Sequence, residues 1–286
     1  MSKVKKNVKN RGVSLILASL LSIFFLITSI TLVVYRVVLS EAGIIASLRV
    51  VDYHEGVYER LRYRIGDILL PTGLPHQIID DAFTPADVYV DLSAFVSAMF
   101  ANYLPTFYRS AIAERLNDNI DYYLLEIGLS RAEVGDEAIG EIVEAIINNY
   151  NDYIGSPLLS FIVRTSHLFN TYLRLLLVIG VVAILITMET IYLLSRRFKH
   201  LTIRYFAFSF GATAFMLIVA PLAVRIWGGY HRLGITPEFV YNFVVTHIDR
   251  TISSLLLVGA IFAGLYLLFI IISTILRRRA VVQVWE

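Results

Sequence analysis

Three runs of this chain carry no charge over a length that matches a lipid bilayer. Residues 13–35 give 23 such positions, 205–224 give 20 and 251–276 give 26. About 20 apolar residues in a helix cross a hydrocarbon core of about 30 Å. Backbone groups in lipid must satisfy one another within the segment, so helix is the conformation open to such runs. A fourth run, 175–188, has 14 uncharged residues. It reaches spanning length as 171–195 once Arg174 and Glu189 sit near its ends. Only 17% of residues are charged, against about 25% in an average soluble domain. Four spans are therefore expected.

The distribution of cations orients them. Lys3, Lys5, Lys6, Lys9 and Arg11 precede the first span; Arg196, Arg197, Lys199 and Arg204 fill the link between the second and third; Arg277, Arg278 and Arg279 follow the fourth. The long polar stretch 41–170 contains no Lys and has 19 Asp and Glu against 8 Arg, a net of 11 negative charges. Cations close to a span are retained on the cytoplasmic side, where anionic lipid also attracts them. All three clusters fall on one side if both termini are cytoplasmic and the acidic stretch lies outside. The first run is longer than the 7–15 apolar residues of a signal-peptide core, so it reads as an uncleaved anchor. Without cysteine, the chain has no disulfide, thiol chemistry or Cys-bearing metal site.

The expected architecture is all-α: a four-helix transmembrane bundle with an extracytoplasmic helical domain inserted between spans one and two. The segments are a basic tail (1–12), span one (13–38), the exported domain (39–165), span two (171–195), a cytoplasmic link (196–204), span three (205–224), an outer loop (225–250), span four (251–276) and a cytoplasmic tail (277–286). In the exported domain, Ile44, Leu48, Val51, Tyr58, Leu61, Ile65 and Ile68 recur at helical spacing, continuing from the first span and stopping at Pro71 and Gly73. Thr84-Pro85-Ala86-Asp87 is a helix start, followed by Val88, Leu92, Phe95, Met99 and Tyr103 and a stop near Pro105. A third stripe holds Ile112, Leu116, Ile120, Tyr123 and Ile127, with Gly128 as its stop. Ser130 to Glu133 has the spacing of a capping box, and Ile139, Ile142, Val143, Ile146, Tyr150 and Ile154 form a fourth stripe. In the outer loop, Thr236-Pro237-Glu238 starts a helix whose Phe239, Val240, Phe243 and Val244 suit the headgroup level.

Few residues carry recognisable chemistry. His54-Glu55 opens like a zinc-protease motif, but Tyr58 stands where the second His ligand belongs. Asp80, Asp81, Asp87 and Asp91 supply oxygen ligands without an EF-hand loop, and turn and helix-start preferences explain Asp81 and Asp87 better. No nucleotide loop, nucleophile elbow or spaced His pair is present, so no cofactor, metal or catalytic activity is expected. The short basic tails lack interleaved aromatics, which argues against nucleic acid. Glu189 is the one acid read inside a span, either a proton or cation relay or a side chain leaning toward Arg196 and Arg197 at the interface. Arg36, Arg174, Arg225 and Arg250 each fall near the outer end of a different span. They are candidates for contacts with anionic headgroups or with acids of the exported domain, although independent snorkelling explains them as well. Small residues four apart (Ser14, Ala18 and Ser22; Ala207 and Gly211; Gly259 and Ala263; Ala260 and Gly264) suit close packing within the chain or with a second copy.

The Gly73-Leu74-Pro75 turn, the helix from Ala86 and the segment from Glu114 through Leu116, Asn117, Asn119 and Ile120 to Tyr123 carry a resemblance. They look like the exported loop of uncharacterised multi-pass membrane proteins of Gram-positive bacteria, which places a GLP turn and an E-x-L-N-x-N-I-x-x-Y helix between the first two spans. The resemblance covers roughly the loop. It suggests only a Gram-positive plasma membrane and carries no activity over to this chain. The order of spans is also similar to that of permease-like subunits of cell-division ABC systems, which would imply a cytoplasmic ATPase partner, but strand signals are lacking in this loop. The reading favoured is a non-enzymatic sensor, scaffold or assembly factor that binds a membrane or envelope protein through its acidic domain. A subunit of a transport complex or a channel is the alternative.

Overall fold

A computed structural model describes residues 2–80, 82–101, 109–155, 157–195 and 199–282. Asp81, Tyr103, Pro105, Ser156, Arg196 and Arg197 of the sequence reading lie outside these residues, as do the side chains of the basic residues in 1–11, of Lys199 and of residues 277–286. Helix is the only regular structure among the described residues, with no strand among them. Four helices are long and apolar enough to cross a membrane: Gly12–Val38, Pro157–Ser195, His200–Arg232 and Glu238–Leu276. The chain divides into two compact units.

One unit comprises Leu39–Leu168 and Gly234–Thr246. Helix α1 (Ser2–Val33) and the π-helical turn Val34–Val38 end before it, and a bend at Leu39 and Ser40 separates them from α2 (Glu41–Val50). The Ser40 hydroxyl accepts from the Gly43 amide at 3.0 Å, an N-cap in place of the uninterrupted helix expected from the first span. A second break lies at Asp52, whose φ of 46° is left-handed, and α3 (Tyr53–Leu69) follows. The break changes the core register. Ile44 and Leu48 are buried on α2, and Tyr53, Val57, Leu61, Ile65 and Leu69 on α3. Residues five apart on a straight helix face different ways, so the turn at Asp52 is what lets Leu48 and Tyr53 enter the same core. Val51 and Tyr58, expected on the buried stripe, only flank it.

The remaining stripes fall closer to expectation. A short 3₁₀ turn, Leu70–Thr72, ends at Gly73 with φ 76° and leads to α4 (Gln77–Asp80). Helix α5 (Pro85–Phe100) starts in a capping box between Thr84 and Asp87 and buries Val88, Leu92, Phe95 and Val96. Helix α6 (Arg109–Glu126) buries Ile112, Leu116, Ile120 and Leu124 and ends before Gly128, while Ile127 is exposed. The Ser130–Glu133 capping box opens the single turn α7 (Arg131–Val134). Helix α8 (Asp136–Ile154) buries Ile139, Val143, Ile146, Tyr150 and Ile154. The unit also takes in residues expected in the second outer loop. Phe239 and Phe243 stand edge-on to Tyr53, at ring separations of 5.0 and 5.8 Å. Phe243 is 1% exposed, so this face is covered by protein.

The other unit holds the chain up to Val38, Phe169–Leu233 and the chain from His247. Its elements are α1, the second part of α9 (Pro157–Ser195), α10 (Lys199–Trp227) and most of α11 (Glu238–Val282). The small-residue stripe Ser14, Ala18 and Ser22 is buried on α1. Ser209 and Thr213 of α10 meet it, donating their hydroxyls to the carbonyls of Ala18 (2.7 Å) and Ser22 (3.1 Å). Two helices in lipid gain no hydrophobic drive from each other, so close packing and such hydrogen bonds hold them together. Phe25, Phe210, Phe262 and Phe269 extend the seam into α11 through ring contacts of 5.0–6.0 Å.

Candidate functional site

Of the carboxylates weighed as cation ligands, the described ones serve the fold. Asp80 pairs with Arg62 through two hydrogen bonds of 2.6 and 2.8 Å. Asp87 accepts from the Thr84 amide and hydroxyl and from Arg115. Partial burial opposes ionisation of Asp87, but those hydrogen bonds outweigh it and hold the carboxyl below the usual range. Asp91 is buried and accepts from the Tyr150 hydroxyl. Burial raises the Asp91 carboxyl above its ordinary value, against the effect of that hydrogen bond. Burial, and then Asp91, push the Tyr150 hydroxyl upward as well. No group of three or more His, Cys, Asp or Glu side chains suited to a metal occurs among the described residues.

Four other acids border a surface feature of the helical unit. Asp52, Glu55 and Glu59 at the start of α3 and Glu238 at the start of α11 border an open cavity of about 560 Å³, with Tyr63 and Phe239 as aromatic wall. Glu55 and Glu59 are four apart and lie on one helix face. Gly56 allows the approach of α11 between them: a Cβ there would collide with the Phe239 ring and its Cβ. The guanidinium of Arg60 lies 6.0 Å from the Tyr63 ring centre. Four carboxylates against the one lining cation, Arg60, leave a net negative rim that suits a cationic group, with the Phe239 ring beside it. Sequence reading missed the cavity because Glu238 is 179 residues or more from its partners and the register break at Asp52 was not visible.

Arg174 is exposed, donates to the Asn170 side chain at 3.1 Å and lies 5.9 Å from the ring centre of Tyr35. Arg36, Arg225 and Arg250 are exposed. Arg225 lies near enough to Tyr230, and Arg250 to His247, to act on them electrostatically. Glu189 is exposed on α9. Near these arginines stands a pair not foreseen from sequence: the Tyr230 hydroxyl donates to Asp249 at 2.6 Å, and the Tyr230 ring stacks on His231 at 4.2 Å. His247 lies 3.2 Å from the Val38 carbonyl. An acid directly before Arg250 was the available signal for Asp249.

No protein-family model, curated protein or solved structure matches the chain.

Proposed function

We propose that the chain is a multi-pass protein of a bacterial plasma membrane, with both termini cytoplasmic and the helical unit outside. That unit binds a cationic segment of an envelope partner, which makes the protein a non-enzymatic sensor, scaffold or assembly factor. One observation carries the reading. The helical unit closes a core of its own while Asp52, Glu55, Glu59 and Glu238 remain at the rim of an open cavity. A domain that keeps its acids solvated around an aromatic wall is built for recognition of opposite charge.

The orientation rests on the cation pattern of the sequence, in which Lys is absent from 41–170. The four arginines near span ends then serve the outer headgroup level, where each guanidinium can hold a phosphate or an acid of the partner.

The test is affinity purification of the full chain from native membranes in mild detergent, beside Glu55→Gln/Glu59→Gln/Glu238→Gln. A partner held by the parent chain and lost from the triple variant, with elution at raised salt, supports the reading. Retention of an ATPase by both forms favours a transport complex instead.

A further inference from the structure

The span unit contains a second cavity, with a different chemistry. It occupies about 620 Å³ between α10 and α11 and is lined by His200, Arg204, Phe208, Tyr266, Ile270 and Thr274, among others. The two helices run antiparallel: Ser273 bonds the His200 carbonyl at 3.4 Å, Gly211 lies against Tyr266, and Gly259 against Leu217. The cleft therefore has a definite polarity along the bundle. His200 and Arg204 stand at the start of α10, level with Ser273 and Thr274 near the end of α11. Phe208, Ile270 and Tyr266 follow along the two helices, away from that end.

The depth of the cleft is set by Gly211. A Cβ on that residue would stand 2.8 Å from the Tyr266 ring, so the ring packs on bare backbone and forms the floor. Thr274 donates its hydroxyl to the Ile270 carbonyl at 2.9 Å, and Ser273 donates to His200. Their oxygens remain available only as acceptors. Arg204 is the fixed cation, and none of the residues lining the cleft is acidic. A guanidinium at the mouth of an apolar slot with no carboxylate inside it favours an anion. The slot between two helices able to span a membrane supplies apolar surface for a chain attached to that anion.

We propose that this cleft binds an anionic phospholipid, with its phosphate on Arg204 and the start of an acyl chain along Phe208, Ile270 and Tyr266. This site is separate from the acidic cavity and from the four arginines discussed above. It lies beside the start of α10, and basic pockets between spans are where anionic lipid headgroups bind.

The experiment is native mass spectrometry of the full chain released from nanodiscs of mixed phosphatidylglycerol and phosphatidylcholine. Parent protein, Arg204→Gln, Arg204→Lys, Ile270→Trp and Arg164→Gln are compared, with inorganic phosphate as competitor. The parent retains phosphatidylglycerol over phosphatidylcholine by about fivefold, the ratio one basic side chain contributes at a lipid surface. Arg204→Gln loses that preference and Arg204→Lys keeps part of it. Ile270→Trp fills the slot without changing charge and also loses it, and Arg164→Gln in the helical unit keeps it. If Ile270→Trp retains the preference of the parent, the basic surface rather than the cleft selects the lipid and the proposal fails. Displacement by inorganic phosphate identifies a soluble anion site and overturns it equally. Parent-like thermal melting of each variant shows that folding is preserved. Should Arg204→Gln not fold, the outcome for Ile270→Trp decides.

Discussion

Tyr150 donates its hydroxyl to Asp91 across the middle of the helical unit, joining α8 to α5 at 2.5 Å with both residues buried. Phe83 stands against the Tyr150 ring at 5.3 Å, so the polar pair is walled by the core. A carboxylate so enclosed depends on its one strong donor.

Tyr150→Phe is accordingly expected to destabilise the unit by about 1–3 kcal/mol, the cost of leaving a buried acceptor without its partner. Thermal unfolding of the purified full chain, followed by helical circular dichroism, measures this. Asp91→Asn, which retains an acceptor, is expected to cost less.

The same pair gives a pH dependence. The Tyr150 hydroxyl is raised above its ordinary 10.0 in the folded state, first by burial and then by Asp91. Its contribution to stability is full below about pH 10 and is lost as pH rises toward the folded value, because the unfolded chain releases the proton first. Unfolding midpoints from about pH 9 to 11 should fall more steeply for the parent than for Tyr150→Phe. For Asp91 the folded carboxyl is raised above 3.8, so its contribution is full below that pH and lost as pH climbs through the folded value. Equal slopes for parent and Tyr150→Phe would contradict the assignment.

Gly56 is where α3 admits Phe239. Gly56→Val forces the ring out of its place and is expected to cost about 1–3 kcal/mol. Limited proteolysis within 39–168 should accelerate. Phe239→Gly in the same chain should remove most of the added sensitivity, since it vacates both the colliding Cβ and the ring.

Ala18 and Ser22 on α1 accept hydroxyl hydrogen bonds from Ser209 and Thr213. Thr213→Val is expected to weaken the bundle by only about 0.6 kcal/mol, the average for such bonds in lipid. Ala18→Leu should cost more, because Ala18 is 0% exposed and the helices approach over it. Unfolding in graded detergent mixtures ranks the two.

Periodicity reads well wherever one face of one helix meets one core. Val88, Leu92 and Phe95, or Ile139, Val143 and Ile146, are both spaced and buried as the pattern says. The pattern misled at Asp52, where a left-handed residue shifts the register so that Tyr53 and Val57 enter the core and Val51 and Tyr58 only flank it. A positive φ at a non-glycine residue leaves little trace in a hydropathy pattern. The stripe of Ser14, Ala18 and Ser22 was visible, yet its partners Ser209 and Thr213 were not, because a hydroxyl on a span reads the same whether it bonds its own helix or a neighbour. The acidic cavity was hidden for a further reason: Phe239, read as part of a helix at the headgroups, packs against the core of the helical unit and carries Glu238 to the cavity rim.

The proposed function depends on which side of the membrane the helical unit occupies, and the absence of cysteine makes that directly measurable. Glu137→Cys, at an exposed position near the start of α8, and Lys199→Cys at the start of α10 are placed singly in the full chain and treated in intact cells with a membrane-impermeant maleimide. Labelling of Glu137→Cys in intact cells, and of Lys199→Cys only after permeabilisation, is the predicted result. The reverse pattern would place the acidic unit in the cytoplasm and contradict the proposed function at its root.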